Sequence, residues 1–343
     1  MLIPCVLAPT IFNFDELKDL EQKLKLNQII LLFRTIQSRG IILFDNKDFL
    51  ISEIKQNILD INNDNIKKKL ETLLINMYKK FKIKKIEVVP STEGIQQYCQ
   101  YFTSIAINND AFGFFANADC ANSCTSCLSE NFQFEYFKSL DCFEFEDFSN
   151  IFSKKSFVST SETDVNDLKQ NILKNFITYA NELYIYDKQL TPDIDAQNRG
   201  FEKFKIPTNF EYNLKYWLLY FYEINPTLNI NIIVSIKENQ VNIEKDIIDM
   251  FKKFKNEIIS QYPDMLLNFK YIKEQLSSLH TCVNLLHQRY FYTENVALSC
   301  DRGIDLLKKG QTTVRDFYIS IVESSDEIKL KQYFKENIQN VLS

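Results

Sequence analysis

The sequence predicts an α/β protein of two domains, and three observations carry this prediction. The chain has 343 residues, whereas one domain usually takes about 100 to 200. Hydrophobic residues make up 45% of it and charged residues 25%, which is ordinary for a folded chain with a sizeable core. From about Asn181 onward, short apolar runs alternate with longer segments of helical periodicity, as expected of a sheet covered by helices.

The N-terminal half predicts an α/β or α+β domain. The apolar runs Ile29–Arg34 and Gly40–Asp45 indicate buried strands, and helix is the alternative for the first run. Between Asp48 and Phe81, apolar residues at helical spacing predict two helices that break near Asn62. Lys84–Ser91 predicts a strand that a proline ends.

A polar stretch from Ser153 to Asp164 predicts the domain boundary, which divides the chain into residues 1–155 and 156–343. Thr163 or Asp164 can cap a helix over Asp167–Tyr179, because a short oxygen side chain accepts a bond from the first helical turn.

The C-terminal domain has the clearest elements. Its predicted strands are Glu182–Tyr186, Asn229–Lys237, Leu267–Lys273, Arg289–Thr293 and Val296–Cys300, and its predicted helices are Asn209–Asn225 and Ile243–Tyr262. The last two strands form a hairpin around Glu294 and Asn295. The alternation predicts a largely parallel sheet covered on both faces, with ligands at the carboxyl ends of strands.

Charge and composition limit the function classes. Forty basic and forty-five acidic side chains give a net charge of −5, so any phosphate-binding surface must be local. The start of the chain is unlike a secretory signal, and no uncharged apolar run approaches the ~20 residues of a membrane span. Eight cysteines without such a signal favour reduced thiols. The sequence thus predicts a soluble cytoplasmic protein.

Polar chemistry is most concentrated between residues 287 and 305. His287 and Arg289 are two residues apart, so on a strand both would project from one face. Asp301, Arg302 and Asp305 follow the second arm of the hairpin, which returns them toward the first arm. Histidine can act as nucleophile or acid–base catalyst, and arginine can bind a phosphate through two N–H donors. This combination suits phosphodiester chemistry, and the glycine at position 303 would allow close backbone approach.

Three segments resemble the phospholipase D-like superfamily, in the branch that resembles the C-terminal domain of microtubule-interacting-and-trafficking-domain proteins. They are ELYIYDKQL (Glu182–Leu190), LHQRYFYTEN (Leu286–Asn295) and LSCDRGIDLL (Leu298–Leu307). In that branch a strand ending in Asp-Pro-Tyr precedes a His-Asp-Arg tripeptide, a hairpin and a Gly-Arg-Gly-Leu-Asp-like stretch. The resemblance covers the C-terminal half only.

The resemblance implies a mixed sheet flanked by helices and a phosphodiesterase or nuclease that acts on nucleic acid as a defence or toxin effector. His287 would be the nucleophile or acid–base catalyst, and Arg289 and Arg302 would bind phosphate. The remaining catalytic candidates are the carboxylates Asp187, Asp301 and Asp305. No cofactor or metal is implied.

This sequence departs from the family pattern. Arg289 stands where the superfamily's enzymes have lysine, Gln288 follows the histidine, and Lys188 follows the strand-ending aspartate. One motif copy is evident, so an enzyme would need a homodimer to supply a second histidine. Because the branch includes members regarded as non-catalytic, the alternative function is an interaction module that binds phosphate or protein.

Structural roles are the competing interpretation of the same residues. His287 can be a half-buried structural histidine, and seven residues separate it from His280, which would place both on one face of a helix. Arg302 and Asp305 can form an ion pair that holds the turn. Asp187 can cap the turn that follows its strand.

Two metal sites are alternatives in the N-terminal half. The spacing of Cys120, Cys124 and Cys127 matches the cluster-binding triplet of radical S-adenosylmethionine enzymes. With Cys142 the same thiols could hold zinc, and ordinary reduced cysteines in a loop are the favoured interpretation.

A second metal alternative rests on Asp45, which ends an apolar run, and Glu53 eight residues later. Their spacing resembles the opening of PIN-like metal-dependent ribonucleases, in which three or four carboxylates hold divalent metal. Asp119 and Asp141 could complete the set. A solvated helix face is the competing interpretation of Glu53.

Overall fold

A computed structural model gives the structure of the chain in two units, residues 2–154 and 155–343, each with its own sheet. The residues that the structure describes are 2–15, 17–88, 98–116, 137–140, 156–160, 162–191, 205–236, 240, 243–273, 289–310 and 313–340. Each unit is described separately below.

The N-terminal unit contains a parallel sheet with strand order β3-β2-β1-β4-β5. Its strands are β1 (Ile3–Leu7), β2 (Gly40–Asp45), β3 (Ile83–Ile86), β4 (Phe112–Phe115) and β5 (Phe137–Ser139). Its α-helices are α1 (Asp19–Arg39), α2 (Phe49–Leu59), α3 (Asp64–Lys79) and α4 (Tyr98–Asn108). Every residue of β2 is buried, as in a parallel strand with both faces covered. The unit is therefore α/β.

Helix α1 corrects one prediction. Ile29–Arg34 is not a strand but lies inside α1, so the helix alternative is right. The buried residues Ile29, Leu32, Phe33 and Ile36 recur at helical spacing, which places them on one face of the helix. The two helices predicted between Asp48 and Phe81 are confirmed as α2 and α3, which break near Asn62.

Among the residues described in it, the C-terminal unit forms a mixed sheet of eight strands with the order β13-β9-β8-β7-β10-β11-β12-β6. Its strands are β6 (Ser156–Ser159), β7 (Glu182–Tyr186), β8 (Asn229–Ile236), β9 (Leu267–Lys273), β10 (Arg289–Thr293), β11 (Ala297–Cys300), β12 (Phe317–Ile321) and β13 (Gln339–Asn340). Its longer helices are α7 (Thr208–Ile224), α8 (Glu244–Gln261) and α9 (Ser324–Asn337).

A short helical segment precedes β7. It consists of α5 (Val165–Leu168) and α6 (Lys174–Thr178), joined by the π-helical turn Lys169–Leu173. The Asp164 carboxylate accepts a 2.7 Å bond from the backbone N–H of Asn166, so Asp164 caps the segment.

The mixed sheet flanked by helices is confirmed for this unit, whereas the largely parallel sheet that the alternation predicts is wrong. Strands β7, β8 and β9 run parallel to one another, whereas the other described strand pairs of this sheet are antiparallel. The predicted hairpin is confirmed, since Arg289 pairs with Cys300 and Tyr292 with Ala297. Only a short turn joins β10 to β11, and so short a connection can join antiparallel strands but not parallel ones.

Helices pack on both faces of the mixed sheet. On one face Phe251 of α8 stacks on Phe269 of β9, with ring centroids 5.0 Å apart. On the other face Phe334 of α9 packs on Tyr186 and Tyr292, at centroid distances of 5.1 and 5.5 Å. These contacts fix the strands whose ends carry the candidate site. No helix among the described residues is long and apolar enough to cross a bilayer.

Candidate functional site

Asp187 is the first residue after β7 and is fully buried. Its Oδ1 accepts a 2.9 Å bond from the backbone N–H of Gln189, and its Oδ2 accepts a 3.0 Å bond from that of Ile304. The first bond closes a local turn, as the capping interpretation predicts. The second bond comes from 117 residues away and holds the loop after β11 against the end of β7.

Arg289 is the charged partner of Asp187. Strands β7 and β10 are neighbours, and Arg289 begins β10, so its Nε lies 3.3 Å from Asp187 Oδ1. The Arg289 side chain is 13% exposed and that of Asp187 is 0% exposed. Burial raises the pKa of the Asp187 carboxyl to about 6, while the two backbone N–H groups and the Arg289 charge oppose the rise. At neutral pH the two side chains form a buried ion pair.

Gly303 covers this ion pair with backbone. Its φ is +61°, in the left-handed region that favours glycine. A Cβ at this position would lie 2.0 Å from Asp187 Oδ2 and 2.5 Å from Arg289 Cδ. The close approach expected of this glycine occurs, and the groups it approaches are protein side chains.

Asp305 lies two residues beyond this glycine and has two further partners. Its Oδ1 is 3.2 Å from Arg315 Nε and accepts a 3.1 Å bond from Asn213 Nδ2. Burial raises the pKa of Asp305 above its ordinary value, and the charges of Arg315, Arg302 and Arg289 oppose that rise. We define Arg289, Arg302 and Arg315 as the arginine cluster.

Asn213 holds helix α7 against the loop. It is fully buried, its Nδ2 donates to Leu307 O at 3.0 Å, and its Oδ1 accepts from Leu307 N at 2.7 Å. Asn213 and Arg315 are not among the predicted site residues. Asn213 is 92 residues from Asp305, so no local pattern relates them.

The remaining candidates near the hairpin face outward. Arg302 is exposed, and its Nε donates to Asp316 O at 2.6 Å. Asp301 is exposed, and its Oδ1 accepts a 3.0 Å bond from Tyr318 N, which directs it toward β12. The ion pair expected between Arg302 and Asp305 is replaced by the pair of Asp305 with Arg315. His287 and His280 lie outside the described residues.

Asp45 ends β2 and caps the next helix. It is fully buried, and its Oδ1 and Oδ2 accept 2.9 Å bonds from the backbone N–H groups of Phe49 and Leu50. These bonds satisfy donors of the first turn of α2. Glu53 is exposed on the same helix.

The other metal candidates, Cys120, Cys124, Cys127, Cys142, Asp119 and Asp141, lie outside the described residues. Among those that are described, no group of three or more His, Cys, Asp or Glu side chains could hold a metal ion.

Chemically, the site combines a buried carboxylate–guanidinium pair with an exposed guanidinium group, at the carboxyl end of β7. Ligands of open α/β sheets bind at such strand ends. No protein-family model matches this chain, and a search of curated proteins found no match.

Proposed function

We propose that the C-terminal unit recognises a phosphodiester of nucleic acid through the arginine cluster. The observation that supports the proposal is that exposed Arg302 lies in the loop that follows β11, and the ion pairs of Asp187 with Arg289 and of Asp305 with Arg315 border the same loop. Guanidinium groups bind phosphate oxygens through paired N–H donors and stay charged at physiological pH. Arg302 is exposed and supplies the phosphate contact, while Arg289 and Arg315 remain paired with carboxylates.

The hydrogen bonds and ion pairs of the two carboxylates, Asp187 and Asp305, favour recognition without cleavage. Both oxygens of Asp187 accept backbone N–H bonds, and the residue is fully buried. Asp187 therefore positions Arg289 and the loop, and it has no oxygen directed toward a substrate. Asp305 is likewise engaged by Arg315 and Asn213.

Cleavage is a second candidate function, favoured by the position of His287 two residues before Arg289. One imidazole next to a bound phosphodiester would attack phosphorus and displace an ester oxygen, which a second imidazole would protonate as it leaves; water would then hydrolyse the phosphohistidine. This version is the nuclease-like effector that the phospholipase D-like resemblance implies, with a homodimer bringing two histidines together.

Binding of labelled single-stranded DNA and RNA at increasing salt tests recognition. We expect affinity to fall as salt rises, because phosphate contacts release counterions. Arg302→Gln should weaken binding by about fivefold or more. Lys329→Gln is the matched control, because it removes the same charge from a side chain on α9 that is 62% exposed. Binding that is independent of salt, or unchanged in Arg302→Gln, would contradict the proposal.

Hydrolysis of bis(p-nitrophenyl) phosphate in EDTA separates the two versions. Metal-independent turnover that His287→Ala abolishes supports cleavage by His287. Nucleic-acid binding without turnover supports recognition alone. Turnover that EDTA abolishes would indicate a metal-dependent site at Asp45 and Glu53, and it would contradict catalysis at the hairpin.

A further inference from the structure

Helix α9 covers only part of one face of the mixed sheet. A row of side chains aligned across four neighbouring strands defines this face, and its members are Tyr186, Tyr290, Ser299 and Ser320. Phe334 of α9 packs on Tyr186, at the β7 end of the row. Tyr318 lies two residues before Ser320 on β12, three strands away from β7, and residues two apart on a strand project from the same face.

Tyr318 forms an exposed patch with Val158, the residue that pairs with it on β6. Tyr318 is 45% exposed and Val158 is 68% exposed, and Tyr318 is the most exposed of the aromatic residues described in this unit. On the opposite face of the same two strands, the ring centroids of Phe157 and Phe317 are 6.0 Å apart, and Phe317 is buried. Strands β6 and β12 therefore have one packed face and one open face. We define Tyr318 and Val158 as the tyrosine platform.

The tyrosine platform adjoins the exposed guanidinium group of Arg302. The backbone N–H of Tyr318 donates to Asp301 Oδ1 at 3.0 Å, and the backbone N–H of Asp301 donates to Tyr318 O at 3.2 Å. Arg302 is the next residue, and its Nε donates to Asp316 O at 2.6 Å. Asp316 is two residues before Tyr318, and two residues of chain span at most about 7 Å. The ring and the guanidinium group therefore lie within reach of one short strand of nucleic acid.

The charges around Arg302 limit what phosphate attraction can contribute. Asp301 and Asp316 are both exposed, and both adjoin Arg302 through the contacts described above. Two carboxylates beside one guanidinium group weaken its attraction for an anion. A ligand of this loop therefore needs a contact that does not depend on charge. An exposed tyrosine ring supplies such a contact, because unpaired bases stack on aromatic side chains.

Resting on the phosphodiester recognition proposed above, we infer that this site selects single-stranded nucleic acid. An unpaired base stacks on Tyr318 and packs against Val158, while a phosphate of the same strand contacts Arg302. In a duplex the faces of the bases are stacked on one another, so a duplex offers the platform no base. Stacking tolerates every base, because each has a π-face. The site therefore distinguishes single strands from duplexes and reads little sequence.

Binding of three labelled ligands to the full chain, measured by fluorescence anisotropy, tests this inference. The ligands are a short thymidine strand, its duplex with adenosine, and an abasic strand with the same number of phosphates. We expect the thymidine strand to bind about fivefold or more tighter than either of the others. The abasic strand keeps the phosphate contact and lacks the base, so it isolates the contribution of stacking.

Substitutions of Tyr318 separate the ring from the charge. Tyr318→Thr keeps a strand-favouring residue and should weaken thymidine-strand binding by about fivefold or more, without changing its salt dependence or the binding of the abasic strand. Tyr318→Phe keeps the ring and should bind like the native chain. Tyr78→Thr is the matched control, because it removes a tyrosine that is 41% exposed in the N-terminal unit, and it should change binding by less than about twofold.

A second pair of variants tests the platform if Tyr318→Thr fails to fold. Val158→Glu places a carboxylate beside the ring and should weaken thymidine-strand binding, whereas Ile328→Glu adds the same charge on α9 at a residue that is 67% exposed and should not.

The outcomes distinguish this inference from the proposed function. Equal binding of the abasic and thymidine strands, with both weakened by Arg302→Gln, would overturn stacking and leave phosphate recognition standing. Native-like binding by both Tyr318→Thr and Val158→Glu would also overturn stacking. If the chain binds none of the three ligands, phosphate recognition fails and this inference fails with it.

Discussion

Asp45 is the last residue of β2 in one unit and Asp187 is the first residue after β7 in the other, yet they organise different surroundings. Both are fully buried and both accept two backbone N–H bonds. The donors to Asp45 lie four and five residues later, in the first turn of α2. Asp187 accepts one local bond and one from Ile304, and it also pairs with Arg289.

The difference shows that an apolar strand ending in aspartate does not by itself indicate a functional site. At Asp45 both carboxylate oxygens serve a helix start, so the residue is explained by local structure. At Asp187 the carboxylate joins β7, β10 and the loop after β11, and an exposed arginine borders the same loop. Long-range partners distinguish the two residues, and the following predictions test that distinction.

The largest expected effect is that of Gly303→Ala. The new methyl group would overlap the Asp187 carboxylate, and the left-handed φ adds strain. We expect the free energy of unfolding to fall by more than about 4 kcal/mol, measured by urea denaturation. Gly310→Ala is the matched control, because it has a φ of +77° with no atom within 4 Å of the added Cβ. It should cost only about 1 kcal/mol, and equal losses would contradict close packing at residue 303.

The pH dependence of stability tests the burial of the Asp187 carboxyl. Its pKa is raised from 3.8 to about 6, so between these values the folded protein retains a proton that the unfolded chain has lost. This group therefore lowers stability as pH rises through that window. We expect the unfolding free energy of the native chain, measured relative to that of Asp187→Asn, to fall by about 2 to 3 kcal/mol between about pH 4 and pH 7. A constant difference would show that Arg289 fully compensates the burial.

A smaller effect is expected at Asp45. Asp45→Ala removes both capping bonds of α2 and should cost about 1 to 2 kcal/mol, whereas Glu53→Ala should change stability by less than about 0.5 kcal/mol. Thermal unfolding with and without Mg²⁺ checks the metal alternative. Stabilisation by Mg²⁺ that is lost in Glu53→Ala would show that the two carboxylates share an ion.

Elements with a clear local pattern were predictable from the sequence. The bounds of β7 and β9 match the predicted strands, and the hairpin is in place. The run Ile29–Arg34 is helical although it predicts a strand, because its five consecutive apolar residues show no period; only the longer spacing through Ile36 reveals the helix. Strand β6 could not be predicted, because its four residues lie in the polar stretch that predicts the domain boundary.

The candidate site was predictable only in part. Asp187, Arg289 and Asp305 could be selected because each follows or begins a strand of the same sheet. The arrangement of their partners could not be predicted, because Asn213 and Ile304 reach them from distant segments of the chain. Gly303 was selected for close approach, but its neighbours required the folded structure.

The pairing of β6 with β12 has a consequence for biosynthesis. The Ser159 hydroxyl bonds to the backbone of Phe317, 158 residues later. At about 5 to 20 residues per second, a ribosome delivers β12 roughly 10 to 30 s after β6. Within the described part of the chain, β12 is the strand that pairs with β6, and Val158 remains 68% exposed even after pairing. Because strand pairs that are distant in the sequence form slowly, we expect the pairing of β6 with β12 to be a late step in the folding of this unit.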